Sequence, residues 1–470
     1  MGKLSIIITF LIISICFLNA GEVQTDPGNY WLQTSTWEKS LTTSMLIESS
    51  LAASGLSGDN LNQYKNKFKQ LLLKFTEDIS GSFETISTYE QGEFILNWAH
   101  ENILRNYIEE QTLMNVLIDT GNYNCVSSAI FYLILAKEAG LNSETIETSD
   151  HAFCTVNTNR GWVDVETTTS YGFNPGIKKE FQQSFNQTGY TYVPPGNYRT
   201  RQRINDKEAV SLILQNRMSV LQKNNKHDQA IALSIARWTF ADTDKSFKDM
   251  NDSFRNWAAV LNNKGSYTEA YYFLSEVSQK YSLMDKNSDL LYDLAYNQII
   301  SILNNGDYNS ANKFLLESKS ILNSSDQSKL EKLVTRDYLS DIVRNRNYEE
   351  SLPLVREAYK SNRISNSEWQ NWITVLHQNK ALEISNSTDW WEAWQFLLKL
   401  PQEEKNLSGI IQSIKLAHDN WSFDIHNKFA DYYNKQNFKE AELILRKGLL
   451  LDPDNKYLSQ DLKDLIKIDY

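Results

Sequence analysis

Cysteine is scarce in this chain: there are three in 470 residues, and Cys16 sits in the apolar stretch at the N-terminus. A disulfide framework is excluded as the source of stability. Cys125 and Cys154 either pair once or at least one of them serves chemistry. Proline and glycine are also sparse, at 7 and 18, which excludes a turn-rich all-β architecture and favours long helices. Basic charge is in deficit, with 47 Lys and Arg against 58 Asp and Glu, a net charge of −11. Phosphate binding needs a basic face, so general nucleic-acid binding is excluded. No apolar run after the N-terminal one is long enough to cross a membrane. No calcium loop, zinc-ligand cluster or phosphate-binding glycine loop stands out, so neither a metal nor a cofactor is expected.

What is abundant points to folded structure. Aromatic residues make up 12% of the chain and hydrophobic ones 41%, which a disordered chain would not carry. The length exceeds one compact core and suggests about two to four domains. At the N-terminus, Lys3 precedes an apolar run from Leu4 to Leu18 broken only by Ser5, Thr9 and Ser14. Ala20 then offers a small residue for cleavage, so residues 1–20 read as a signal peptide. Two other fates stay open: an uncleaved anchor, although about fifteen residues is short for a span, and lipidation of Cys16, although Ile15 before it is bulky. The expected location is outside the cytoplasm (periplasmic, cell-envelope or extracellular), and a membrane would be met only through that anchor.

Residues 21–59 read as a mixed, polar N-terminal segment. Helical spacing then appears at Asn60–Glu77 (Phe68, Leu71, Leu72, Phe75), at Glu90–Asn106 (Phe94, Ile95, Trp98, Ile103) and at Gln111–Asp119. Gly121-Asn-Tyr-Asn124 breaks the pattern before Cys125. Val126, Ala129, Ile130, Leu133 and Ile134 then form a stripe that ends at Gly140. After it the period changes to two. His151–Val156 and Trp162–Val165 predict two short strands, with Pro175-Gly176 and Pro194-Pro-Gly196 before a boundary near Asn205.

Beyond that boundary one pattern recurs: a turn, an aromatic or His, two residues, then a small residue. It appears at His227…Ala230, Tyr267…Ala270, Tyr308…Ala311, Tyr348…Ser351, Trp390…Ala393 and Phe438…Ala441, with a period of 40 to 48 positions. A fixed period of this size signals stacked helical hairpins. Lys264-Gly-Ser-Tyr-Thr-Glu-Ala270, Gly306-Asp-Tyr-Asn-Ser-Ala311 and Asn437-Phe-Lys-Glu-Ala441 resemble the second-helix start of tetratricopeptide repeats. The period departs from that family's 34 residues, so helices or loops must be longer here. The resemblance implies an all-α solenoid of about six hairpins over residues 205–470, presenting a concave surface to a protein partner. An unrelated α-solenoid is the other reading.

The chemistry converges on Cys125. A thiol at a helix start meets unpaired N–H groups and the positive end of the dipole, which activate it as a nucleophile. Strand alternation sends Val163 and Val165 to one face and Trp162, Asp164 and Glu166 to the other. In the same way Ala152, Cys154 and Val156 face the core, with His151, Phe153 and Thr155 opposite. His151 and a carboxylate can therefore share a face, as a Cys–His–acid relay requires. Cys154 reads as packing, since a disulfide to Cys125 would disable the site. Trp162 either lines the site or packs. Lys178, Lys179, Arg199, Arg201 and Arg203 read as a solvated basic run.

Three motifs in order resemble the transglutaminase-like superfamily: Gly121-Asn-Tyr-Asn-Cys125-Val-Ser-Ser-Ala129, His151-Ala-Phe-Cys-Thr-Val156 and Gly161-Trp-Val-Asp-Val-Glu-Thr-Thr168. The resemblance covers residues 60–204. It implies an α+β papain-like domain, with the Cys helix on a small antiparallel sheet, in front of the all-α array. It also implies acyl transfer or hydrolysis on peptide or protein amides, as in a cysteine protease, an amidase or a cross-linking acyltransferase. Cys125 would be the nucleophile, His151 the proton shuttle, and Glu166 (by motif register) or Asp164 the acid. The Cys125 amide would face the oxyanion. The family also contains inactive members, so a non-catalytic scaffold for protein–protein interaction is the rival reading.

Overall fold

The computed structural model describes residues 27–81, 83–177, 200–344 and 348–468. The expected signal peptide, and Lys178, Lys179 and Arg199 of the basic run, lie outside the described residues. Among the described residues no helix is long and apolar enough to cross a membrane. The chain divides into two compact bodies, Met1–Ser266 and Tyr267–Tyr470.

In the first body the segment read as mixed and polar holds two helices, α1 (Pro27–Thr34) and α2 (Thr43–Ala53). The Thr42 side chain caps α2, and Leu46 and Leu51 sit in the core. Next come α3 (Gly58–Ile79), α4 (Thr88–Asn102) and α5 (Met114–Thr120). α4 starts at a capping box in which Ser87 and Glu90 each bond the other's backbone amide. The short strands β1 (Asn106–Tyr107) and β2 (Asn122–Tyr123) pair in parallel. Helix α6 (Cys125–Glu138) follows, then β3 (Ser143–Glu147), β4 (Ala152–Thr158), β5 (Gly161–Val165) and β6 (Gln202–Ile204). These four form one antiparallel sheet in the order β5-β4-β3-β6.

Every residue of α6 from Cys125 to Ala136 is buried. The apolar stripe expected there is part of all-round burial, because the sheet covers one side while α2 and α4 pack on others. Across the sheet Cys154 stands opposite Val165 and Val156 opposite Val163. Cys154 donates to the Ala129 carbonyl at 3.2 Å, so that face of the sheet looks onto α6.

The expected α+β papain-like class does not stand. The protein is 72% helical, with 20 helices and only two small sheets among the described residues. The physical reason is proportion. The strands are seven residues or shorter, and the body around them is built by helices, including two that flank the sheet on the C-terminal side in sequence. These are α7 (Asp206–Lys223) and α8 (His227–Ala241), with α9 (Asp244–Asn263) after them. Buried charges tie α7 into this body. Asp206 pairs with Lys137 at 2.8 Å and accepts from the Leu41 amide at 2.7 Å. Lys207 donates to the Ser35 carbonyl at 2.9 Å and Arg217 to the Ala53 carbonyl at 2.6 Å. The first helices of the expected array thus lie within the first body.

The second body is all-helical: α10 (Tyr267–Lys280), α11 (Met284–Leu303), α12 (Tyr308–Ser318), α13 (Ser324–Arg344), α14 (Tyr348–Lys360), α15 (Asn366–Ser387), α16 (Trp390–Leu398), α17 (Gln402–Lys405), α18 (Ser408–Asn434), α19 (Phe438–Leu451) and α20 (Lys456–Ile466). Tyr267, Tyr308, Tyr348, Trp390 and Phe438 are each the first residue of a helix, as His227 is in the first body. The small residue three positions later is fully buried in the second body's five cases. The alternating partners α11, α13, α15 and α18 have 20, 21, 22 and 27 residues, and this length produces the period above 34.

One buried polar network staples this body. His377 bonds Glu404 at 2.7 Å and Tyr348 at 3.1 Å, while Arg356 donates to both Glu404 oxygens at 2.6 and 2.7 Å. Burial alone would raise the Glu404 pKa. Hydrogen bonds and charge from His377 and Arg356 lower it instead, to about 2. Its contribution to stability is therefore complete above the ordinary value of 4.5 and is lost as pH falls towards 2.

Two outcomes follow. Glu404→Ala, which strands the buried His377 and leaves the partly exposed Arg356 without its partner, should cost about 3–5 kcal/mol in urea unfolding at pH 7, and less near pH 3. A chain ending at Ser266 should keep a cooperative melt by circular dichroism in the first body, whereas one ending at Ile204, stripped of α7, should lose it.

Candidate active site

Three local devices fix Cys125. Gly121, at φ 74°, ends α5 in the left-handed region and turns the chain into β2. Asn124 then caps α6: its side chain accepts from the Val126 amide at 3.1 Å and the Ser127 amide at 3.0 Å. Ser127 completes the box by accepting from the Asn124 amide at 2.9 Å. The cap consumes those two amides. The Cys125 amide stands in the first turn, where no intrahelical acceptor exists. Asn124 also donates to the Glu109 carbonyl at 3.0 Å, which holds the segment after β1 beside the helix start.

His151 precedes β4 at the end of a tight turn. The Thr148 amide donates to its carbonyl at 2.9 Å, and its own amide donates to the Thr148 hydroxyl at 3.1 Å. The imidazole Nε2 meets the Glu166 Oε2 at 2.6 Å, and the Cys125 side chain lies near enough to the ring to raise its pKa. His151 is 6% exposed, Cys125 7% and Glu166 0%. The other Glu166 oxygen accepts from the Thr168 amide at 3.2 Å and the Thr168 hydroxyl at 2.7 Å. Burial alone would depress the His151 pKa. The Glu166 carboxylate and the Cys125 side chain outweigh it and raise the pKa to about 10. The ring therefore keeps its proton across neutral pH.

The two candidate acids part company. Asp164 forms a bidentate ion pair with Arg201, whose guanidinium also lies 4.9 Å from the Phe153 ring centre. Glu166, past the end of β5, is the carboxylate on His151. Arg201 and Arg203 are thus not a free solvated run, since Arg203 pairs with Glu144 at 3.2 Å and covers the Trp162 ring. Trp162 is 38% exposed and is absent from the lining of the cleft above Cys125. Cys154 is a buried free thiol, as is Cys125. Burial, then the Glu166 charge, push its pKa up, so it stays protonated.

A supporting layer was not foreseen. The turn from Thr167 to Tyr171 folds back so closely that a Cβ on Gly172 would meet the Glu166 carbonyl at 1.8 Å. Only glycine fits. His100 bonds the Thr167 carbonyl at 3.1 Å, and burial lowers its pKa to about 4, which makes it a neutral N–H donor there. Tyr123 donates to the Thr168 carbonyl at 2.9 Å.

A cleft of about 210 Å³ opens over Cys125 and His151. Glu109 and Glu110 form one rim and the Glu147–Asp150 turn another. The far wall is α7, through Leu212, Gln215, Asn216, Ser219 and Lys223. Those positions recur every three or four residues, so helical periodicity marks them as one face, although it does not say what the face covers. Among the described residues no group of His, Cys, Asp or Glu is placed to hold a metal ion.

His151 contributes stability fully below its ordinary pKa of 6.5, and that contribution is lost as pH rises through about 10. Glu166→Gln should remove this loss and cost about 3–5 kcal/mol at pH 7 by urea unfolding. Asp164→Asn should keep the same pH dependence between 6.5 and 10. Set against known proteins the arrangement stands without a match: no family model, curated protein or solved structure matches the chain.

Proposed function

We propose that the protein is an exported cysteine enzyme that performs acyl transfer or hydrolysis on peptide or protein amides. The observation that carries this reading is a thiol at a capped helix start, beside an imidazole that a buried carboxylate keeps protonated. The Cys125 thiolate attacks the amide carbonyl, forming a C–S bond. The oxyanion forms next to the Cys125 amide, which the Asn124 cap leaves available. Collapse breaks the C–N bond, and His151 gives its proton to the departing amine. Water or an amine then attacks the thioester, His151 takes its proton, and the sulfur leaves as thiolate. Glu166 holds the ring throughout as a positioning residue. The cysteine, histidine and acid motifs resemble those of transglutaminase-like enzymes, which supports the same chemistry.

The helices that begin at Tyr267, Tyr308, Tyr348, Trp390 and Phe438 support a tetratricopeptide-type array, whose task is to bind a protein partner. Export rests on the apolar run from Leu4 to Leu18 and the small Ala20.

The test is direct. At pH 6–7 Cys125 should react with iodoacetamide about tenfold faster than a free thiol, of which only a few per cent is thiolate, and His151→Ala should abolish the difference. Incubating the protein and its Cys125→Ala variant with an envelope extract, then comparing peptides by mass spectrometry, should yield products dependent on Cys125. A Cys125 no faster than a free thiol would favour the non-catalytic scaffold.

A further inference from the structure

Two imidazoles lie close enough to one carboxylate to feel its charge. The Glu166 charge acts on His151 and on His100 alike, yet the carboxylate bonds His151, and His100, on α4, bonds the Thr167 carbonyl. A carbonyl only accepts, so His100 Nε2 carries a proton. Burial lowers the His100 pKa to about 4 and keeps the ring neutral at neutral pH. His100 is therefore an N–H donor without a charge, and it leaves the Glu166 charge to His151.

Three elements converge on the two residues after Glu166. His100 takes the Thr167 carbonyl at 3.1 Å, and Tyr123, from β2, donates to the Thr168 carbonyl at 2.9 Å. Ser128, one turn into α6, donates to the Cys125 carbonyl at 3.3 Å and shares a hydrogen bond with the Thr167 hydroxyl at 2.9 Å. Thr168 then gives both its amide and its hydroxyl to Glu166 Oε1. Where Thr168 stands thus decides which way the carboxylate faces, and Oε2 meets His151 in this orientation. A charge-assisted bond of 2.6 Å weakens steeply with misalignment, so a small slip of the turn would release the ring.

We infer that His100 is a positioning residue for the candidate site: as an uncharged donor it holds, with Tyr123 and Ser128, the turn that aims Glu166 at His151. This rests on the proposed function only for its effect on Cys125, since the orientation of the pair is measured separately.

The proton on His151 reports that orientation. NMR of the full chain with isotope-labelled histidine follows each ring through a pH titration, and His151→Gln assigns the His151 signal. In the unaltered chain the signal should keep its protonated position well past neutral pH. His100→Leu removes the donor and should lower the His151 midpoint by about one unit or more, as for an imidazole losing its carboxylate. His100→Gln, whose amide nitrogen can donate from the same place, should restore it. Tyr123→Phe and Ser128→Ala each remove one hydroxyl and should lower it by less; they decide the matter if His100→Leu fails to fold. A merely structural His100 would lower the melting temperature and leave the midpoint in place. A midpoint unmoved in every folded variant overturns the proposal, as does one in His100→Gln as low as in His100→Leu. Iodoacetamide labelling of Cys125 in the unaltered chain keeps the two readings apart. If the midpoint falls as expected while Cys125 reacts no faster than a free thiol, His100 still positions the pair and the proposed function is what fails.

Discussion

The site depends on one constraint: Glu166 is a carboxylate with no access to water. A buried charge is tolerated only when it is paired and hydrogen-bonded. Here that requirement recruits His151 on one oxygen and two Thr168 donors on the other. Satisfying it fixes three parts of the chain at once. The turn after β5 must fold back onto Glu166, which only glycine at 172 allows. The start of β4 must present the imidazole. The ring must keep its proton, and it does so beside the sulfur at the head of α6. His100, held neutral by burial, secures the same turn from α4. The geometry at Cys125 is thus a consequence of neutralising Glu166, transmitted through one imidazole.

Local features of this arrangement are legible in the residues. Gly121, the Asn before Cys125 and the apolar run after it encode a capped helix within a few positions. The aromatic and small residues that recur after Ser266 likewise mark helix starts. Long-range choices are not legible. Glu166 and Asp164 lie two positions apart, and what separates them is Arg201, 37 residues further on, which composition shows only as part of a basic run. Helical spacing in α7 shows that a face is covered without naming Cys125 and His151 as its neighbours across a cleft. The class of the first body is misjudged for a related reason. Period-two strands carry a loud signal for their length, while the helices that build the body are quieter, α1 and α2 most of all.

Buried His–Glu pairs occur twice among the described residues, and their differences bear on what each is for. In the second body His377 has both nitrogens engaged, by Glu404 and Tyr348, and Glu404 is held again by the bidentate Arg356. Its partners are side chains of little reactivity, and breaking it would only loosen helices. In the first body the carboxylate is equally well satisfied, yet the imidazole lies beside a thiol, and thiol and imidazole line an open cleft. A buried ion pair is weak evidence for stability, since apolar residues of similar volume do as well or better. The pair in the second body at least joins separate helices across their interface. The pair beside Cys125 lies at the floor of a cleft, where a purely structural role would be served by leucine and phenylalanine. That contrast within one chain favours chemistry over scaffolding for the first body, and leaves the staple role to the second.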